Sequence, residues 1–337
     1  MARKYSAKKR SKIEPAVQTL SFVIPLPAGN SNNFIDLSQV ASLVNRRFYR
    51  QGINWAVSGF KFLTNAGDVG GLTVQKLPNT WVMSNSWEKS FRTWQRMNKE
   101  ALEEAESVRP RFLDFKVYAD SSHHTAGYGA NLLPIVFAGG AAATPGEWIS
   151  SKVAIPATDG TDNVNERELI ATGPNFPGLG ASGLNAVSLI EGYAASRALP
   201  EVLYPNAPSD AAGVSGNLPS NWMAAIFNDG IDQTTEVIEE MLGSNNIAPY
   251  PFENDGVNID TMYPGGANQL SGLQIHDISN VSSTTVGGTT RLKGGNFPCG
   301  LIKITASNWS QVSTITLTID LIPGSHRGYL CEPMTEM

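Results

Sequence analysis

The stretch STITLTIDL at residues 313–321 constrains the fold more than any other. Ile315, Leu317 and Ile319 alternate with Thr314, Thr316 and Thr318 in a period of two. In an extended chain that spacing sends every apolar side chain to one face and every hydroxyl to the other, as a strand with one buried face requires. Weaker versions recur. VQTLSFVIP places Val17, Leu20, Phe22 and Ile24 in partial alternation before Pro25, and INWAVSGFKFLT alternates at Trp55, Val57 and Gly59. LTVQKL, RFLDFKVYA, ANLLPIVFAG, GLQIHDIS and CGLIKITA also read as strands.

Helical spacing is confined to the connections. DLSQVASLVNRRFYRQG reads as a short helix capped by Asp36 or Ser38, with Gly52 after its end. SNSWEKSFRTWQRMNKEALEEAESVRP repeats Trp87, Phe91, Trp94, Leu102 and Ala105 near 3.6 residues, with Ser84 or Ser86 as cap and Pro110 beyond. DQTTEVIEEMLGSNN is a third helix, between Asp232 and Gly243. Residues 139–220 are rich in Gly, Ala, Ser, Pro and Asn and read as long loops elaborating a β framework. There is no βαβα rhythm. The expected fold is therefore all-β: an antiparallel sandwich, most economically a jelly roll, with long loop insertions and two or three short helices.

Charge divides the chain differently. Its first twelve residues hold Arg3, Lys4, Lys8, Lys9, Arg10 and Lys12 and no acid. Without them 19 basic residues face 30 acidic ones, a net charge of −11 hidden inside the overall −5. A basic arm on an acidic body fits binding to an anionic polymer. Residues 1–14 lack a hydrophobic pattern and are expected to be a disordered arm; residues 15–337 are expected to be one domain carrying the loop-rich insertion. Only 16% of residues are charged, which leaves surface for burial against other copies of the chain.

A second basic cluster, NRRFYRQ, sets Arg46, Arg47 and Arg50 around Phe48 and Tyr49. Arginines beside aromatics suit a single nucleic-acid strand, with phosphates paired and bases stacked. The same arginines also suit a helix C-terminus, and the sequence leaves both readings open. Lys89, Arg92, Arg96 and Lys99 form a helical stripe that reads first as a solvated face.

The motifs of catalysis are missing: no phosphate-binding loop, no dinucleotide fingerprint, no H-E-x-x-H and no G-x-S-x-G. GASG at 180–183 reads as a flexible loop. His123 and His124 are adjacent and would diverge on a strand. Cys299 and Cys331 read as free thiols, with no zinc spacing. The pairs Glu103/Glu104 and Glu239/Glu240 read as solvated helix faces. No enzyme activity, cofactor, metal or membrane span is expected. A β-sandwich binding module of lectin or adhesin type, with an incidental basic tail, is one reading of these features.

The closing block CGLIKITASNWSQVSTITLTIDLIPGSHRGYLCEPM resembles the end of capsid proteins from small circular Rep-encoding single-stranded DNA (CRESS-DNA) viruses, of the stool-associated and invertebrate-associated type. LPNTWVMSNSWEKSFRTWQRMN, PYPFENDG and MYPGG resemble the same group. The resemblance implies a viral jelly-roll subunit, a small icosahedral shell of about sixty copies, and an interior arm against a circular single-stranded DNA genome. Partners would be that DNA, other copies of the chain and a host receptor. Location would be the virion, with the host nucleus during assembly, to which KKRSK could serve as an address. About sixty arms would carry about 360 charges against on the order of thousands of phosphates. Other inner-surface cations, first among them Arg46, Arg47 and Arg50, would have to help.

Overall fold

A computed structural model describes residues 16–101, 114–136, 142–156, 164–196, 221–227, 272–282 and 288–337. The helix expected over DQTTEVIEEMLGSNN, the blocks PYPFENDG and MYPGG, and the arm itself lie outside the described residues. Eight strands make two antiparallel sheets. Sheet A contains β1 (Thr19–Leu26), β11 (Ser313–Leu321), β3 (Ile53–Leu63) and β9 (Thr289–Phe297) in that order. β12 (Cys331–Pro333) extends it as a short fifth strand beside the start of β3. Sheet B runs β2 (Gly29–Asp36), β10 (Leu301–Trp309), β4 (Gly70–Lys76), β8 (Gln274–Val281). The pairing is nested: β1 with β11, β2 with β10, β3 with β9, β4 with β8.

The alternation expected in β11 is met, with Ile315, Leu317 and Ile319 at most 1% exposed. They join Leu20, Phe22 and Ile24 of β1 and Leu72, Val74, Ile302 and Ile304 of sheet B in one core. The faces of the two sheets thus bury each other, giving an all-β antiparallel sandwich. Pro25 sits on β1, an edge strand, where its missing N–H breaks no ladder.

In β3 the simple alternation fails midway. Trp55 and Val57 point inward, but so do Phe60 and Phe62. A bulge against β11, between the pairs Val57↔Leu321 and Gly59↔Asp320, inserts one residue and reverses the phase. Gly294 of β9 packs against this bulge so closely that a Cβ would lie 2.2 Å from the carbonyl oxygens of Val57 and Ser58. Gly294→Ala is expected to cost roughly 2–3 kcal/mol by overpacking, read as a lower denaturant midpoint. An unchanged midpoint would show that the bulge yields.

The connection between β4 and β8 builds a second core. Helix α2 (Trp81–Ala101) brings Trp87 and Trp94 against Phe115. It starts earlier than expected: Thr80 Oγ1 accepts from Met83 N, and Ser84 and Ser86 lie inside the helix. The region read as loops contains, among its described residues, a three-stranded sheet of β5 (Lys152–Pro156), β6 (Val164–Ile170) and β7 (Ala186–Ser188), then helix α4 (Leu189–Ala195). Its strands are three to seven residues long, and β5 and most of β6 fall in EWISSKVAIP and ERELIATG, which read in sequence as short extended pieces within those loops.

Among the described residues, two expected strands are not formed. RFLDFKVYA keeps, in its described part, one bridge from Tyr118 to Ile170, and ANLLPIVFAG one from Ile135 to Ala142. The buried backbone at Val117 is satisfied by a side chain instead: Gln51 Oε1 accepts from its N–H at 2.7 Å and Gln51 Nε2 donates to its carbonyl at 3.1 Å. Pro134 further removes a donor from the second segment.

Candidate nucleic-acid interface

The arm residues Arg3, Lys4, Lys8, Lys9, Arg10 and Lys12 lie outside the described residues, but their root does not. Val17 N–H donates to Asn45 Oδ1 at 3.0 Å, and its carbonyl accepts from Tyr329 OH at 2.7 Å. Gln18 Nε2 donates to the Gly328 carbonyl at 3.1 Å. Asn45 is the last residue of helix α1 (Leu37–Asn45), whose N-terminus is capped by Asp36 accepting from Ser38 and Gln39. The first described residues of the chain therefore lie next to Arg46.

The arginine cluster is not helical, contrary to the sequence reading. The helix ends at Asn45 because Arg46 takes a left-handed conformation (φ 53°, ψ 36°). Residues 46–50 then form a pinned loop. Ser42 Oγ accepts from Tyr49 N at 2.9 Å, and Ser38 Oγ donates to the Arg50 carbonyl at 3.2 Å. With the backbone held inward, the side chains of Arg46, Arg47 and Arg50 are exposed.

The two aromatics of the loop separate. Tyr49 is 1% exposed, with its hydroxyl donating to the Arg327 carbonyl at 2.9 Å, whereas Phe48 is 45% exposed. Arg327, also exposed and left-handed (φ 49°), donates through Nη1 to the Phe48 carbonyl. Sequence reasoning missed this fourth arginine. Its signal was the turn PGSHRG directly after the β11 alternation, which doubles back beside α1. Phe48 leans on Trp148 at 6.1 Å between ring centroids, and Lys116 Nζ lies 4.3 Å from the Trp148 centroid. Burial pushes Lys116 down to about 8, with Asp36 nearby acting in the opposite sense. The result is a rim of cations around one accessible aromatic face, at the root of a basic arm. It can hold phosphates by charge and a base by stacking.

Comparison with family models, with curated proteins and with solved structures finds no match. The chemistry of the site must be weighed against the rest of the molecule. The α2 stripe is largely engaged within the fold: Lys89 Nζ donates to Ser196 Oγ at 2.6 Å, Arg92 pairs with Glu88, and Arg96 stacks 3.8 Å over Phe227. It is a weaker contact for a polymer than the exposed loop.

His123 and His124 lie on a short helix, α3 (Ser121–Ala126), not on a strand, and both are fully buried. Ser150 donates to Glu168, whose other oxygen is 2.8 Å from His124 Nε2 without hydrogen-bond alignment. This line has the members of a hydrolytic triad, yet Gly180 packs on the His124 ring and all three residues are buried, so no nucleophile faces solvent. Both cysteines are free thiols. Burial pushes Cys331 up to about 12, far from the range of a reactive thiolate. Among the described residues no His/Cys/Asp/Glu group is placed to hold a metal, and no helix is long and apolar enough to cross a membrane. A hollow of about 450 Å³ beside Trp94 and Met97 brings Asp114 to Lys116 and Glu166 to Lys152, and Glu147 leaves its lining with an excess of negative charge.

Proposed function

We propose that the chain is a structural subunit, the coat protein of a small circular single-stranded DNA virus. In this reading the sandwich is a jelly roll. The nested pairing supports it, because two four-stranded sheets ordered β1-β11-β3-β9 and β2-β10-β4-β8 are what a long hairpin yields when it is rolled into a double sheet. Copies of the body assemble into an icosahedral shell in the virion, with assembly in the host nucleus. The arm and the loop 46–50 hold the genome.

The observation that carries the nucleic-acid part is the anchoring of the arm root on Asn45, beside Arg46, Arg47, Arg50 and Arg327. Val17, 28 residues before Asn45 in sequence, is held beside the loop 46–50. Tryptophans exposed along a groove would favour a lectin-like module. Of the seven tryptophans, Trp55, Trp87, Trp94, Trp222 and Trp309 are buried and Trp81 and Trp148 half-buried, which disfavours that alternative.

Negative-stain microscopy of the purified chain tests assembly: uniform small particles are expected, and a monodisperse monomer under assembly conditions would sink the reading. Changing Arg46, Arg47 and Arg50 together to Ala is expected to leave particles intact while lowering their 260/280 nm absorbance ratio. Intact particles with an unchanged ratio would remove the loop from the genome contact.

A further inference from the structure

The outer face of sheet A carries cations that no local sequence pattern groups. The register of β3 and β9 places Lys61 directly opposite Arg291, and Gly59 opposite Lys293. Their neighbours Phe60, Phe62 and Leu292 are buried, so the three cations share the solvent side. Like charges set opposite one another across strands cost stability. Among the described residues none of the three makes an ion pair. Two acids border the group: Asp320 accepts from Thr19 Oγ1 at 2.7 Å, and Asp277 accepts from the main-chain N–H of Lys293 at 2.8 Å, that bond first and the Lys293 charge after it holding its carboxyl below the usual range. The Lys61–Arg291 row continues across the sheet through Thr318 and Ser21, whose hydroxyls point the same way. Lys293 stands about 7 Å further along β9 from Arg291.

The outer face of sheet B has none of this. Its Lys303 is buried under α3, with Nζ 2.8 Å from Asp120 Oδ2 and 2.7 Å from Ser122 Oγ. Thr73, Gln75, Ile275 and Ile278, on β4 and β8, are uncharged.

We infer that the row Ser21, Thr318, Lys61 and Arg291, with Lys293, is a second phosphate-binding strip for single-stranded nucleic acid, and that sheet A faces the genome. The inference rests on the coat-protein reading for the nature of the polymer. Ammonium, guanidinium and hydroxyl donors along a flat sheet match a run of phosphate oxygens, and Val23 and Leu63 offer no ring on which a base could stack. The strip should hold backbone without regard to base.

The test is a salt titration of a labelled 20-nucleotide thymidylate strand against the unassembled full-length chain. In Lys61→Gln/Arg291→Gln/Lys293→Gln the slope of log affinity on log salt should become shallower by about 2, from three lost contacts at roughly 0.7 each. The charge-retaining Lys61→Arg/Lys293→Arg should keep the original slope, and Thr73→Glu, on sheet B, should leave it unchanged. Relief of repulsion should leave the thermal midpoint of the triple variant no lower than that of the unaltered chain. An unchanged slope in the triple variant, or an equal loss in Thr73→Glu, overturns the strip while leaving the coat-protein reading standing. Absence of salt-dependent binding by the unaltered chain overturns both.

Discussion

Deletion of residues 1–12 is expected to remove most of the salt-sensitive affinity for single-stranded DNA while leaving the body folded and able to assemble. Six cations on a single strand contribute roughly 4 to the slope of log affinity on log salt, so a fourfold rise in salt costs the intact arm's share roughly 300-fold. The remaining body carries a net charge of −11 and repels a polyanion at long range. What survives in the truncated chain should come from Arg46, Arg47, Arg50 and Arg327 with the sheet A strip, and should depend on salt more weakly. Particles formed by the truncated chain should contain less nucleic acid per subunit. A truncated chain with an undiminished salt slope would mean that the arm does not touch the polymer.

The second large effect is on stability. Acidification from pH 6.5 towards pH 4 is expected to destabilise the fold through His123. This side chain is fully buried: Nδ1 accepts from the Ala119 N–H at 3.1 Å, Nε2 faces Asn131 Oδ1 at 2.9 Å, and the ring stacks on Phe34 at 4.4 Å. Burial above all pushes it down from 6.5 to about 4. The unfolded chain therefore takes up a proton in a range where the folded chain does not. Stability is complete above pH 6.5 and lost as pH falls through the window, by roughly 3 kcal/mol at its lower end.

Asp36 works the other way. Desolvation raises its carboxyl from 3.8 to about 6 against the hydrogen bonds it accepts from Gln51, Gln39, Trp148 and Ser38, so between pH 6 and pH 4 the folded chain gains a proton and roughly 2 kcal/mol, which offsets much of the histidine's loss. The difference between the unaltered protein and His123→Gln isolates the histidine. The variant should show a flatter fall in denaturation midpoint between pH 6.5 and pH 4. Parallel curves would assign the acid sensitivity elsewhere.

What could be read in advance followed from periodicity. β11 carries its burial in a period of two and falls where that period predicts, whereas β10 opens with four buried residues and β3 with three, so those two were legible from their β-branched and aromatic residues. The bulge at Ser58–Gly59 was not legible, because a single inserted residue leaves composition untouched while reversing the phase. Nor were the two segments whose backbone is met by Gln51 or interrupted by Pro134: their residue types suit strands, and only their partners decide otherwise. The helix read through Arg46, Arg47 and Arg50 stops at Asn45, since nothing local in the sequence forces Arg46 into the left-handed region. Lys61 and Arg291 are separated by most of the chain and become a pair only through register. Sequence spacing is silent about such pairs.

The nesting of the strands also sets a clock. Thr19 meets Asp320 across 301 residues, so on a ribosome the first strand made waits for almost the last. At about 5–20 residues per second that interval is roughly 15–60 s. Until it ends, Val17 has no Tyr329 to grip it, and the basic segment hangs from an unfinished edge. Cellular factors that read the segment as an address would meet it while the strand that anchors it is still being synthesised.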